Sequence, residues 1–384
     1  MTHSSLRSLL GCAAVALIMT MAVASCSRTP RAASEALERA EAIMDSLPDS
    51  ALHTLAAIDT TTLGSEDRAL HALLTAQARD KCYIADTTDA YTARALGYYR
   101  THGSPRQLML AYYYHGLVQY NAGRYAQAVA TLMQAENIAA SIPDYRYLGL
   151  ITRNIADSYN MVFSSQNQLH YARKSLEAFK HYGDSEYVAG AYSDLSRAYI
   201  NNNQYLEADI TADTALLLSR LVNDIYSVIH ALNVKACAKV GEKKWKEAID
   251  YYTKMVKLDA GSLKDYDWRN ISMAKQNTGL KTPVIDSVLY ARHIVTDTSH
   301  VYFSNRAQYE KAYYALLKQH NLLNSRFKSN TEENVTTTVA LLKDNQIRQV
   351  RNARYRQQII SIIILMLLLI VITLSIIVYR RKKM

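Results

Sequence analysis

The sequence predicts an all-α protein, built as a solenoid of stacked helical hairpins and followed by a juxtamembrane helix and one transmembrane helix. Three observations lead to this fold class. Small residues recur every 40 positions through the body of the chain, capping and turn residues fall between the predicted helices, and alternating β-strand patterns are nearly absent. Apolar segments near both termini add a signal peptide and a membrane span to this body.

The 40-residue period is carried by three series of small residues. The first consists of Ala76, Gly116, Ala156, Ser196 and Ala236. The second consists of Ala95, Ala135, Ser175 and Ala215, with the larger Met255 as its fifth member. The third consists of Ala128, Ala208 and Ala248, with Gln168 as its exception. Because small side chains are needed where helices approach closely, a shared period indicates a stack of similar helix pairs.

The clearest copy of the repeat contains Tyr112-Tyr113-Tyr114-His115-Gly116, then Gly123-Arg124-Tyr125-Ala126-Gln127-Ala128, and ends with Leu132 and Ala135. This pattern resembles the tetratricopeptide repeat, although a period of 40 is longer than the standard 34 residues. The resemblance is clear over 107–256 and assigns 27–325 to a solenoid. It implies a concave surface, formed by the first helix of each pair, that binds an extended or helical segment of a partner.

The family resemblance also implies which side chains face the partner. Transferred to this chain, the groove positions are Tyr113, Leu117, Tyr120, Arg153, Asp157, Asn160, Ser193, Arg197 and Asn201. The carboxylate clamp of peptide-binding tetratricopeptide domains pairs a basic residue with Asn at defined groove positions. Here Arg153 is followed by Asp157, and Asn233 by Cys237, so recognition of a free C-terminus is not expected.

Helix boundaries can be placed from proline and capping residues. Ser104-Pro105 and Thr282-Pro283 each put an N-cap residue before a proline at the first helical position. Pro48 and Pro143 are expected between helices. The segments 32–46 and 50–58 then form an N-terminal helix pair that caps the solenoid.

The first 26 residues have the features of a signal peptide with a lipobox. Arg7 precedes an apolar run from Leu9 to Val23 that is too short to span a bilayer comfortably. The run ends in Val23-Ala24-Ser25-Cys26, which resembles the lipobox of bacterial lipoproteins, so Cys26 is the expected lipidation site. The alternative is ordinary cleavage after Ala24, because Ala22-Val23-Ala24 also fits a cleavage site.

Beyond the repeats, 308–327 is predicted to be a final helix, and 326–357 to be a juxtamembrane helix. An imperfect apolar stripe runs through the latter at Val335, Val339, Leu342, Ile347 and Val350. Two interpretations stay open for this stripe: a weak coiled coil, or a helix that lies on the last repeat.

A transmembrane helix is predicted at 358–379. The run from Ile359 to Val378 contains only three polar residues, all small hydroxyls, and covers about 30 Å as a helix. Basic residues flank it on both sides, so the charge distribution does not set its orientation. The signal peptide does: it exports the solenoid and leaves the basic tail, 380–384, in the cytoplasm.

Charge and motif content exclude several functional classes. The formal net charge of +10 is concentrated around the predicted membrane span, and the middle of the chain is nearly neutral, which argues against nucleic acid as a partner. Phosphate-binding, zinc-protease and hydrolase motifs are absent, and His115, His170, His230 and His293 have no potential ligand one helical turn away. No catalytic residue, metal site, cofactor or small-molecule substrate is therefore expected, and the protein is predicted not to be an enzyme.

These features lead to a functional expectation with one alternative. The protein is expected to be a membrane-tethered scaffold in the bacterial cell envelope, with its solenoid facing the periplasm and binding a protein or peptide. The layout is also similar to membrane-bound tetratricopeptide sensors that continue into cytoplasmic output domains. The alternative is accordingly the input half of a split signalling system that acts through a separate partner.

Overall fold

The computed structural model describes residues 29–259, 261–285, 334–341 and 344, and all of the regular structure in these ranges is helical. The α-helices, in chain order, are α1 (Arg31–Ile43), α2 (Pro48–Ala56), α3 (Ser65–Lys81), α4 (Ala90–Tyr99), α5 (Pro105–Asn121), α6 (Tyr125–Ala139), α7 (Tyr145–Met161), α8 (Ser165–Tyr182), α9 (Ser185–Asn201), α10 (Tyr205–Leu221), α11 (Ile225–Gly241), α12 (Trp245–Leu258) and α13 (Asp265–Thr278). Consecutive helices pack against each other as antiparallel hairpins. The predicted all-α solenoid is confirmed.

The helices follow the predicted 40-residue register. The first helix of each pair begins at Ser65, Pro105, Tyr145, Ser185, Ile225 and Asp265. The second helix begins at Tyr125, Ser165, Tyr205 and Trp245, with α4 as the exception because a longer loop precedes Ala90. The period read from the small residues is therefore the period of the helix pairs.

N-cap residues repeat in the same register. Ser104, Asp144, Asp184 and Asp224 each precede a first helix, and each side chain accepts a hydrogen bond from backbone N–H groups of the first turn. Ser104 and Gln107 also form a capping box in front of Pro105, as the Ser-Pro pair predicted. Pro143 lies between α6 and α7, whereas Pro48 is the first residue of α2.

The turn inside each pair requires a left-handed residue at one position. Tyr83, Gly123, Phe163, Asn203 and Lys243 lie 40 residues apart and have φ between 57° and 73°. A side chain in this conformation costs about 1 to 2 kcal/mol that glycine does not. Only one of the five turns contains glycine, so the turn geometry is imposed by the helices that pack on both sides.

The small-residue series mark close contacts between helices. The described members of all three series are buried, apart from Gly116 itself, whose missing side chain leaves space for a neighbour. A Cβ atom at Gly116 would lie 2.6 Å from Cγ of Leu132. Gln168, the exception in the third series, is also buried, and its amide oxygen accepts a hydrogen bond from Asn201.

Apolar side chains form three clusters along the solenoid. The N-terminal cluster joins α1 and α2 to α3 and includes Leu37, Leu55 and Leu74, as expected for a capping pair. The central cluster extends from Ala69 to Ala198, and the C-terminal cluster from Ala215 to Ile285. Each cluster is shared between neighbouring repeats, which is how a solenoid buries faces that a single hairpin leaves exposed.

A short helical stretch, 334–341, packs against the central cluster. Val335 is 2% exposed and belongs to that cluster, and Val339 packs against it. This part of the predicted juxtamembrane helix thus lies on the solenoid, but on earlier repeats than the last one. The predicted signal peptide, the helix at 308–327, the span at 358–379 and the tail lie outside the described residues. Among the helices that the structure does describe, none has the length and apolar character to cross a membrane.

Candidate partner-binding site

The first helices of successive pairs contact each other and form one continuous surface, here called the first-helix face. The nine residues assigned to the groove by resemblance belong to α5, α7 and α9. In α5, Tyr113 and Leu117 are buried, at 3% and 9% exposure, in the central cluster. The Tyr113 ring packs edge-on against Tyr147 of α7, so these two groove positions of α5 serve as core. Tyr120 stays partly exposed and packs edge-on against Tyr125.

In α7, α9 and α11 the same face carries a charged cluster, defined as Arg153, Asp157, Asp194, Arg197 and His230. The Arg153 Nε–H donates to Oδ2 of Asp194 across 2.6 Å, which links α7 to α9. An Arg197 Nη–H donates to Nε2 of His230, which links α9 to α11. Gly190 gives the Arg153 guanidinium its space, because a Cβ there would lie 3.0 Å from Nη2. Three consecutive repeats are therefore joined by charged side chains.

Asp157 is the unsatisfied member of the charged cluster. It is partly buried, and within the described part of the chain no group donates a hydrogen bond to its carboxylate. Burial, and then repulsion from Asp194, raise the pKa of Asp157 to about 6, although Arg153 and Arg197 act in the opposite direction. An acid that lacks a donor partner and faces this surface has capacity left for a ligand.

The other ionisable groups of the cluster are held in defined charge states. Burial opposes ionisation of Asp194, but Arg153, His230 and Arg197 outweigh it and lower the pKa of Asp194. Asp194 in turn raises the pKa of Arg153. Burial and the nearby Arg197 lower the pKa of His230 to about 4, so His230 is neutral at pH 7 and can accept the hydrogen bond from Arg197.

One helical turn further on, amide side chains form a second layer, defined as Asn160, Gln168 and Asn201. Nδ2 of Asn201 donates to Oδ1 of Asn160 at 2.8 Å and to Oε1 of Gln168 at 2.9 Å. This leaves the Asn160 amide group as a donor and the Asn201 oxygen as an acceptor, each without a hydrogen bond to a described residue. Such a pair complements the C=O and N–H groups of an extended main chain.

A small depression joins the charged cluster to the amide layer. It is lined by residues of α7, α8 and α9: Arg153, Ala156, Asp157, Gln168, Ala172, Ser175, Asp194 and Arg197. Ser193, the remaining groove position, is 1% exposed, and its Oγ has no hydrogen-bond partner in the described structure. It lies beneath this surface and does not contribute to it.

Asp194, His230 and Gln168 were not singled out from the sequence. Asp194 lies 41 residues after Arg153, one position outside the 40-residue register, so a search for exact repeats passes over it. His230 has no ligand at helical spacing, and its partner comes from α9. Opposite charges one position outside the period are the signal that could have found the Arg153–Asp194 pair.

Among the described residues, no group of three or more His, Cys, Asp or Glu side chains is arranged to hold a metal ion. No family model matches the sequence. No curated protein matches it either.

Solved structures, by contrast, share its fold. RapI in its apo form superposes with a TM-score of 0.58 at 11% identity, covering 81% of this chain and 98% of RapI. NprR in complex with its cognate peptide NprX gives a TM-score of 0.50 at 16% identity, covering 82% of this chain and all of NprR.

A signal transduction ATPase with numerous domains, a protein from Pyrococcus horikoshii with a tetratricopeptide repeat sensor, gives a TM-score of 0.52 at 14% identity. The match covers 76% of this chain but only 44% of that protein. At these identities the similarity establishes a tetratricopeptide-like helical fold and nothing finer.

Proposed function

We propose that this protein is an exported, membrane-tethered tetratricopeptide-type scaffold that binds a protein or peptide partner at the cell envelope. The partner lies on the first-helix face of α7, α9 and α11. The observation that carries this proposal is the amide layer, whose free donor on Asn160 and free acceptor on Asn201 match the main chain of an extended segment. The neighbouring Asp157 carboxylate supplies a further unused acceptor.

The similarity of fold to NprR, which was solved with its cognate peptide, supports a peptide as one kind of partner. The charged cluster supports the same assignment, because it places guanidinium and carboxylate groups beside the amide layer on one surface. An extended segment bound there would exchange its hydrogen bonds to water for bonds to preorganised groups.

The binding face can be tested by site-specific photo-crosslinking in intact membranes. A photoreactive side chain at Asn160 should capture a partner, and the same group at Glu177, which is 64% exposed on α8, should not. Arg197→Glu in the Asn160 variant should abolish the adduct, while circular dichroism shows that the helices persist. Equal capture at both positions, or capture that survives the charge reversal, would refute this assignment.

The tether is a separate part of the proposal, and it rests on sequence features outside the described residues. Cys26 carries the lipid, 358–379 spans the membrane, and the solenoid faces the periplasm. Replacing Cys26 with Ala should leave an unprocessed precursor of higher mass. An unchanged mature mass in the variant would defeat the lipobox assignment.

One observation favours the second candidate function, the input half of a split signalling system. The stretch 334–341, which leads towards the predicted span, packs against the central cluster of the solenoid through Val335 and Val339. A change in the repeats could therefore reach the membrane segment directly. A cytoplasmic protein that crosslinks to the basic tail would support this role, and co-purification with envelope proteins alone would support the scaffold.

A further inference from the structure

Helix α10 carries a stripe of exposed apolar side chains, here called the α10 stripe. Its members are Leu206, Ile210, Leu217 and Leu221, exposed by 64%, 59%, 60% and 73%. Their spacings of four, seven and four residues place them on one face of the helix. The opposite face holds the buried Ala208, Ala212, Ala215, Leu216 and Ser219. Isolated exposed apolar residues are ordinary, but four in a single stripe mark an interaction surface.

The course of the chain leads past α10. Ile285 is buried in the C-terminal cluster, together with Ala215 and Leu216 of α10 itself. Val335 is buried in the central cluster, which ends at Ala198 of α9. Residues 286–333 must therefore return from the last repeats to earlier ones, and α10 lies between these two points in the order of the repeats.

The returning segment contains a sequence that fits the stripe. Within 308–327, apolar residues recur at helical spacing at Tyr309, Tyr313, Leu316, Leu323 and Phe327. As a helix this segment would be about 30 Å long, against about 25 Å for α10. An amphipathic helix of this length needs an apolar surface to cover its own stripe.

Charge favours this segment over a lipid surface as the occupant. The segment carries Lys311, Lys318 and Arg326 against the single acid Glu310. Helix α10 carries three acids, Glu207, Asp209 and Asp213, against one base, Arg220. Two of these acids are already paired: Asp209 contacts Lys235 and Lys239, and Asp213 contacts Lys235 at 2.6 Å. Asp213 nevertheless remains 63% exposed within the stripe, where an anionic membrane would be repelled and a basic helix attracted.

We propose that residues 308–327 form an amphipathic helix that lies along the α10 stripe and closes the outer surface of the solenoid. The occupant is this segment of the same chain. A second copy of the protein fits less well, because four aliphatic side chains supply only part of the roughly 800 Å² per partner of a stable interface. The inference does not depend on the partner proposed for the first-helix face, which lies on other helices.

Hydrogen exchange of the full-length protein in detergent tests this contact. Amides of 308–327 should be protected in the wild type, and Ile210→Asp/Leu217→Asp should reduce that protection by about tenfold or more, since burial of each such side chain is worth at least that factor. Both positions are exposed in the described structure, so the repeats should remain folded. The control, Leu47→Asp/Tyr83→Asp, changes two exposed apolar residues outside the stripe and should leave protection unchanged.

Thiol crosslinking identifies the occupant. With Cys82 and Cys237 replaced by Ser, a short bismaleimide should join Leu217→Cys to Leu316→Cys within one chain, and Leu217→Cys to Lys318→Cys in lower yield because Lys318 lies on the opposite face. An adduct of two chains would assign the stripe to a second copy and overturn the proposal. Absence of the adduct, unprotected amides in the wild type, or protection that survives the double substitution would overturn it as well.

Discussion

At the scale of single residues, the space around Gly116 decides how closely α5 and α6 can pack. A Cβ there would lie 2.6 Å from Cγ of Leu132, a side chain that is itself fully buried. We expect Gly116→Leu to lower the free energy of unfolding by about 1 to 3 kcal/mol, because overpacking displaces neighbouring side chains. Thermal unfolding followed by circular dichroism measures this effect.

The control for Gly116→Leu is Gly97→Leu. Gly97 lies in α4, and a Cβ there would meet nothing within 4 Å. Leucine at this position should be neutral or slightly stabilising, since leucine favours the helix over glycine. Equal losses of stability in both variants would remove the close contact as the explanation.

The second prediction at this scale concerns Asp157 and pH. Because folding raises its pKa to about 6, the folded state binds the proton more tightly than the unfolded state, whose pKa is about 3.9. The stabilisation from this proton is complete below pH 4 and is lost as the pH rises to 6. Asp157→Asn stays neutral, so it should match the wild type near pH 4 and exceed its stability above pH 6 by about 1 to 2 kcal/mol.

Asp194→Asn provides a control of opposite sign. The pKa of Asp194 is lowered in the folded state, where the carboxylate pairs with Arg153. Its stabilisation is present above the unfolded pKa and is lost as the pH falls, so the variant should be less stable than the wild type at pH 7. If melting temperatures of Asp157→Asn and the wild type run parallel from pH 4 to 8, the raised pKa is wrong.

At the scale of elements, the left-handed turn position controls how each hairpin closes. Gly123 has φ of 73° with open space around its Cβ position, so Gly123→Ala adds backbone strain without a clash. We expect it to destabilise the protein by about 1 kcal/mol. Lys243 occupies the equivalent turn with φ of 62°, and Lys243→Gly should raise stability by a similar amount.

Chemical denaturation of both variants measures these changes. The two substitutions act at the same position of different repeats and should therefore shift the unfolding midpoint in opposite directions. A stabilising Gly123→Ala would mean that the turn does not need a left-handed residue.

At the scale of the whole molecule, topology decides which partners can reach the first-helix face. Basic residues flank the predicted span on both sides, so the proposed orientation depends on the signal peptide. A reporter that is active only outside the cytoplasm should be active when fused after Lys328 and silent when fused after Met384. The opposite pattern would place the solenoid in the cytoplasm and exclude every envelope partner.

The sequence alone determined the fold class and the repeat register. Small residues at the close contacts and cap residues before the first helices act locally and recur every 40 positions, so a pattern search finds them. It also pointed to Arg153, Asp157 and Arg197, because the family resemblance placed them on the first-helix face, where the structure brings them together.

Tertiary structure decided which of those residues are available and what they pair with. Tyr113 and Leu117 became core because aromatic rings from α7 fill the space beside α5, and sequence spacing does not record that contact. Asp194 and His230 joined the charged cluster across helices, outside the repeat register. The raised pKa of Asp157 likewise arises from burial and from Asp194, and both are set by how three repeats pack together rather than by any one of them.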